Sequence, residues 1–153
     1  LIRDCRLHII AGPRPEYFLE FFRSEVRPPL DSDGVELEGF VSDVRPAYER
    51  AAVVVVPVVT SAGTNIKVLE AMALGKAIVS TPAGVNGIDL TAGEEYLCAR
   101  DGDEMASAIE TIFREPGLGA RLGAAARRRA EREFGWDSIA RRQSEIYNEL
   151  LRA

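Results

Sequence analysis

The chain is poor in the residues that usually build metal and redox sites. Its 153 residues include one histidine, two cysteines and one tryptophan. No CxxC, HExxH or EF-hand spacing occurs, so no metal site and no metal cofactor are expected. Two cysteines, Cys5 and Cys98, cannot form a disulfide scaffold; reduced thiols and a cytoplasmic setting are the expectation. No apolar run approaches the ~20 residues of a membrane span. The opening LIRDCRLHII has neither the charged start nor the long apolar stretch of a secretion signal. Lysine and arginine total 19 against 24 acidic residues, a net charge of -5. That balance argues against nucleic acid as a partner, because phosphate backbones are bound by clustered cations. Neither GxxxxGK[ST] nor GxGxxG is present, which removes the P-loop and the dinucleotide fingerprint. The chain starts without methionine, almost in mid-strand, and is read as part of something longer.

What is present is an ordinary globular composition, 46% hydrophobic and 28% charged, on a length that fits one domain over 1–153. Short apolar segments are expected as strands over 6–11, 35–40, 52–56, 77–80 and 96–100. Helical spacing is expected over 15–26, from Ser42 or Asp43 to about 51, and over 65–74, 101–113, 118–134 and 136–151. The loops between include 27–34, RPPLDSDG. The run AVVVV is β-branched without alternation, as in a parallel strand covered on both faces. Strands alternating with helices predict an α/β fold, a Rossmann-like parallel sheet with helices on both faces. In such sheets ligands bind beyond the carboxyl ends of the strands. This places a small-molecule site at the loops 12–14, 40–43, 57–65 and 82–87.

The most informative stretch is SAGTNIKVLEAMALG, residues 61–75. Ala62 and Gly63 carry little bulk, so a ligand can approach the backbone. Thr64 or Asn65 is the expected N-cap of the following helix, and Gly75 its stop. The first N–H groups and the helix dipole favour an anion there. Lys67 adds a cation where the dipole disfavours one; it fits either an anionic ligand or a solvated surface. On a helical wheel Ile66, Val68, Leu69, Met72 and Ala73 share an apolar arc, with Glu70 at its edge about 60° from Lys67. A carboxylate there should be half desolvated. Ribose hydroxyls would satisfy it, as would a simple pairing with Lys67.

The segment GVELEGFVSDVRPAYERAAVVVVPVVTSAGTNIKVLEAMALGKAIVSTPAGVNGIDL resembles the C-terminal half of a GT-B-fold glycosyltransferase of the group 1, family 4 type. The likeness continues through DEMASAIETIF and FGWDSIARRQSEIYNELL. It implies the donor-binding domain of a two-domain enzyme that moves a sugar from an NDP-sugar to an acceptor, with retention and without a metal. On this likeness Glu70 matches the glutamate that holds the ribose. Gly63, Thr64 and Asn65 match the loop whose backbone packs on the donor diphosphate. Phe40 and Val41 match the strand end beside the nucleobase, and Lys67 is a further donor-side candidate without a defined role. No residue stands out as a general base. The sequence departs from the family pattern twice. Ala62 stands where many members have the first glutamate of E-x7-E. The strand and helix that usually precede LHIIAG, with their basic diphosphate ligands, are lacking, as is the N-terminal acceptor domain. The chain by itself is therefore expected not to turn over. Two rival readings share the fold: an NDP-sugar 2-epimerase, and a nucleotide-binding or interaction module without catalysis.

Three other features carry expectations. Arg121, Arg127, Arg128, Arg129 and Arg132 read as a solvated helix face, with peripheral contact to an anionic membrane as the alternative. Trp136 reads as a core anchor, while the last helix is expected to show an exposed apolar patch. His8 reads as structural.

Overall fold

The computed structural model describes residues 5–22 and 33–152. Its elements alternate in the expected order: β1 (Leu7–Ile10), α1 (Pro15–Phe22), β2 (Val35–Glu38), α2 (Arg45–Arg50), β3 (Val53–Val56), α3 (Ile66–Ala73), β4 (Ala77–Ser80), β5 (Leu97–Cys98), α4 (Gly102–Arg114), α5 (Leu118–Glu133) and α6 (Trp136–Leu150). The continuation of the first helix over 23–26 and most of the loop 27–34 lie outside the described residues. Contacts divide the chain into two compact units, Leu1–Arg50 and Ala51–Ala153.

In the first unit β1 and β2 pair in parallel, Leu7 opposite Val35 through Ile10 opposite Glu38. The lone histidine, His8, is half-buried and its Nε2 lies 2.9 Å from Glu38 Oε2, the structural role expected of it. Asp43 serves the start of α2: its Oδ1 accepts from the Arg45 N–H at 3.0 Å, and its carboxylate also receives the Arg45 guanidinium.

In the second unit β3, β4 and β5 form a parallel sheet in that order. All four residues of β4 are buried. Side chains alternate between faces along a strand, so burial at every position means cover on both sides. One face carries Ala77 and Val79, clustered with Ala99, Met105, Ile112, Leu118 and Leu122 from β5's end, α4 and α5. Helices α3, α4 and α5 all pack on β4. Gly75, at φ +64°, ends α3 as expected and turns the chain into β4. Asp101 caps α4, accepting from the Glu104 N–H at 2.8 Å, while Glu104 reaches back to the Arg100 N–H.

Two expectations fail here. Trp136 is not a core anchor: it is 85% exposed, and α6 buries none of its residues. The helix packs against α5 and leaves Trp136, Ile146, Tyr147 and Leu150 in solvent, which is the expected apolar patch. The arginine run is not wholly a solvated face. Arg129 Nε donates to Glu95 Oε1 at 2.8 Å and Arg129 NH1 to Glu133 Oε1 at 3.1 Å. Arg127 pairs with Glu131 one turn on. Among the described residues, no helix is long and apolar enough to cross a membrane. Cys5 and Cys98 are both free.

Candidate functional site

The site grows from the carboxyl ends of two neighbouring strands. β3 and β4 run parallel with Val56 opposite Ser80, so the loops that leave them, 57–65 and 81–87, start side by side. Proline at 57, directly after β3, has no N–H with which to continue the ladder. The loops are then tied to each other. Thr81 Oγ1 donates to the Val58 carbonyl, and the Gly84 N–H donates to Thr81 Oγ1 at 3.0 Å. Asn65 Nδ2 donates to the Gly84 carbonyl at 2.8 Å and reaches Ser61 Oγ at 3.2 Å. The Ser61 hydroxyl in turn donates to the Gly63 carbonyl at 2.7 Å. Gly84 is wedged: a Cβ there would stand 2.2 Å from Ser80 Oγ and 3.0 Å from Val56. Gly87, at φ +78°, faces Thr64, whose Oγ1 would be 3.1 Å from an added Cβ.

Asn65 is the N-cap of α3 in backbone terms, at φ -83° and ψ 106°, but its side chain makes no capping bond. Its amide is spent on the second loop instead. Among the first-turn N–H groups, that of Val68 bonds the Asn65 carbonyl at 2.9 Å. The first turn of this eight-residue helix therefore receives no cap from the Asn65 side chain, the arrangement that favours an external anion. Gly63 stands in the open, with nothing within 4 Å of where a Cβ would be.

The structure brings Gly63, Thr64, Asn65, Lys67 and Glu70 together on the loop and first turns of α3. Thr64 and Lys67 are exposed and Glu70 is half-buried, the intermediate setting expected for that carboxylate. The buried face of α3 differs from the expected arc. It is Val68, Ala71 and Met72, while Ile66 is 70% exposed and Ala73 is exposed. The three buried residues are an i, i+3, i+4 set and so form one stripe of the helix, and Ile66 lies off it. Phe40 and Val41 follow β2 in the first unit, Phe40 73% exposed and Val41 half-buried.

Sequence reading missed Ser61, Thr81 and Gly84, which hold the loops. The signal was available: TPAGVNG is a small-residue loop immediately after a buried strand. It also missed Glu95, buried although acidic, whose Oε2 accepts from the Thr91 N–H at 2.8 Å. Burial pushes the Glu95 carboxyl up, but the Arg129 guanidinium, the Thr91 N–H and the nearby Arg132 charge outweigh it and hold the group below the usual glutamate value.

The sequence profile of the family described as Glycosyl transferases group 1 matches residues 1–115. The chain belongs to this family. It is 32% identical over 94 residues to the MMP alpha-(1->4)-mannosyltransferase of Mycolicibacterium hassiacum, covering 58% of this chain and 22% of that protein. It is 28% identical over 128 residues to the D-inositol 3-phosphate glycosyltransferase of Streptomyces bingchenggensis, covering 82% of this chain and 26% of that protein. The chain thus spans about a quarter of the length of these group 1 relatives. Among solved structures it is similar to Anabaena Alr3699/HepE in complex with UDP and glucose, with TM-score 0.78 at 19% identity, over 94% of this chain and 40% of that one. At that identity the likeness shows the fold, the Rossmann-like α/β architecture of GT-B glycosyltransferases.

Proposed function

We propose that the chain is the donor-binding portion of a glycosyltransferase, and that the full-length protein moves a sugar from an NDP-sugar to an acceptor. The observation that carries this reading is the start of α3: an open Gly63, helix N–H groups without a side-chain cap, and a half-buried glutamate one turn on. A donor diphosphate would lie across the backbone of Gly63, Thr64 and Asn65. Its charge is met there by backbone N–H groups and the positive end of the helix. Side chains on a helix lean toward its N-terminus, so Glu70 covers the turn between itself and the loop. Its carboxylate would accept from the two ribose hydroxyls. Lys67 would lie near the diphosphate. As the glycosidic bond to the diphosphate breaks, the leaving group gathers negative charge; preorganised N–H donors stabilise that charge without reorganising. Retention, independence from metal ions and an acceptor domain elsewhere in the full-length protein belong to the same reading. It is further supported by the fold shared with a UDP-bound relative.

Calorimetry with UDP and GDP on the chain tests the reading. Weak binding of one of them is expected. Glu70→Ala should weaken it by about tenfold or more, the cost of leaving ribose hydroxyls without their acceptor. Gly63→Val, which has room to fit the fold, should block the diphosphate with little loss of stability. Affinity unchanged in both variants would move the nucleotide elsewhere.

A further inference from the structure

We infer that Asn65 is a positioning residue: its side chain joins the loop 57–65 to the loop 81–87, so that the anion seat at the start of α3 is held by both loops and is kept empty of a side-chain cap. The inference rests on the proposed diphosphate seat and adds what shapes it.

An asparagine at an N-cap ordinarily turns its Oδ1 onto the N–H two or three residues ahead. Here it does not. The partner explains why. The Gly84 carbonyl is an acceptor only, so the group facing it at 2.8 Å must be the amide NH2. The second contact of the same nitrogen, to Ser61 Oγ at 3.2 Å, anchors the middle of the loop. Ser61 then fixes the Gly63 carbonyl. One side chain thereby sets the backbone of Gly63, on which the diphosphate would lie, relative to Gly84, 19 residues beyond Asn65. Gly84 itself cannot drift. It is pressed against Ser80 and Val56 at the ends of β4 and β3, and its N–H is held by Thr81. The fixed point is therefore the second loop, and Asn65 transmits it to the first.

This arrangement separates binding from stability. Aspartate in place of Asn65 cannot donate to the Gly84 carbonyl, so the tie is lost. Yet aspartate is a strong N-cap and its charge suits the helix dipole. It would occupy the N–H groups that the anion needs and repel the anion as well. Alanine loses the tie and offers no cap.

The test uses the chain itself, wild type, Asn65→Ala and Asn65→Asp, with UDP calorimetry, thermal unfolding and amide hydrogen exchange. Both variants should speed exchange over 84–88 as well as over 61–66, although nothing is changed in the second loop. N65A should weaken UDP by on the order of tenfold, the scale of one lost bond to a half-buried carbonyl. N65D should weaken it at least as much while its Tm stands at or above that of N65A. Unchanged exchange over 84–88 would overturn the tie whether or not UDP binds. UDP affinity that follows Tm, with N65D binding better than N65A, would reduce Asn65 to a structural bond. Wild-type chain that takes up no UDP or GDP would instead sink the proposed donor site, and the seat's occupant with it, while the exchange data still decide the tie.

Discussion

The parallel strands of the two units differ in how deeply they are buried. In Leu1–Arg50, β1 and β2 share a four-residue ladder whose residues are exposed or half-buried. In Ala51–Ala153, β4 is buried at every position, and Val56, Val68, Met72, Ile78, Ile88 and Leu122 are nearly or wholly without exposure. A ladder fixes register; it does not exclude water. Helices packed on a sheet do that, and burial on that scale is what resists unfolding. The candidate seat belongs to the second kind of region. Its loops spring from the paired ends of β3 and β4, and firm support is what a binding constellation needs.

The comparison breaks most readily at glycines. Gly123 of α5 lies against the turn between α3 and β4, where a Cβ would stand 2.0 Å from the Gly75 carbonyl oxygen and 2.7 Å from its carbon. Both are backbone atoms with no rotamer to yield. Gly123→Ala should therefore cost about 3 kcal/mol or more by overpacking, and chemical denaturation should show it. Gly12 of the first unit has nothing within 4 Å, so Gly12→Ala should stay within about 0.5 kcal/mol. Equal costs at the two sites would mean that the packing contrast is not real.

A methylene-for-methylene version is sharper. Ile78 in β4 is fully buried, while Ile9 in β1 is half-buried. Ile78→Ala should lose about 3 kcal/mol and Ile9→Ala about 1 kcal/mol, because the cost follows the apolar surface and cavity left behind. The m-value should stay constant across the pair if both act on the folded state.

The sequence exposed the order of elements almost completely, and for physical reasons. Unbroken Val and Ile runs mark strands, although the Val run of β3, expected to be covered on both faces, is half-buried until Val56 while β4 is buried throughout; Gly75 and Asp101 mark helix ends by chemistry that depends on few neighbours. The loop and helix of the candidate seat were legible for the same reason. What was hidden depends on partners far along the chain. Asn65 reads as an ordinary cap until Gly84, 19 residues away, is seen to take its amide. Arg129 reads as one of a solvated run until Glu95, 34 residues away, is seen beneath it. Trp136 reads as core because tryptophan is large and apolar, but burial needs a facing surface, and α6 leaves it 85% exposed.

The polar pairs extend the contrast at smaller scale. His8 and Glu38 of the first unit are joined at 2.9 Å, but the glutamate side chain is 45% exposed. Glu95 and Arg129 of the second unit are 11% and 19% exposed. Water competes for the first hydrogen bond, so Glu38→Gln should cost at most about 1 kcal/mol. Glu95→Gln keeps the shape but removes the charge from a bond to a guanidinium and from the Thr91 N–H, a loss of about 2 kcal/mol. The pH dependence has a definite sign. Glu95 titrates lower in the folded protein than in the unfolded chain. Its contribution is therefore fully present above the unfolded glutamate value of roughly 4.3 and is lost as pH falls through the lower folded value. Unfolding free energy measured from pH 7 down to pH 3 should decline more steeply for the wild type than for Glu95→Gln, with the two curves converging at the acid end. Parallel curves would show that the Glu95 carboxylate contributes nothing through its charge, and that α5 holds the 91–95 segment by packing alone.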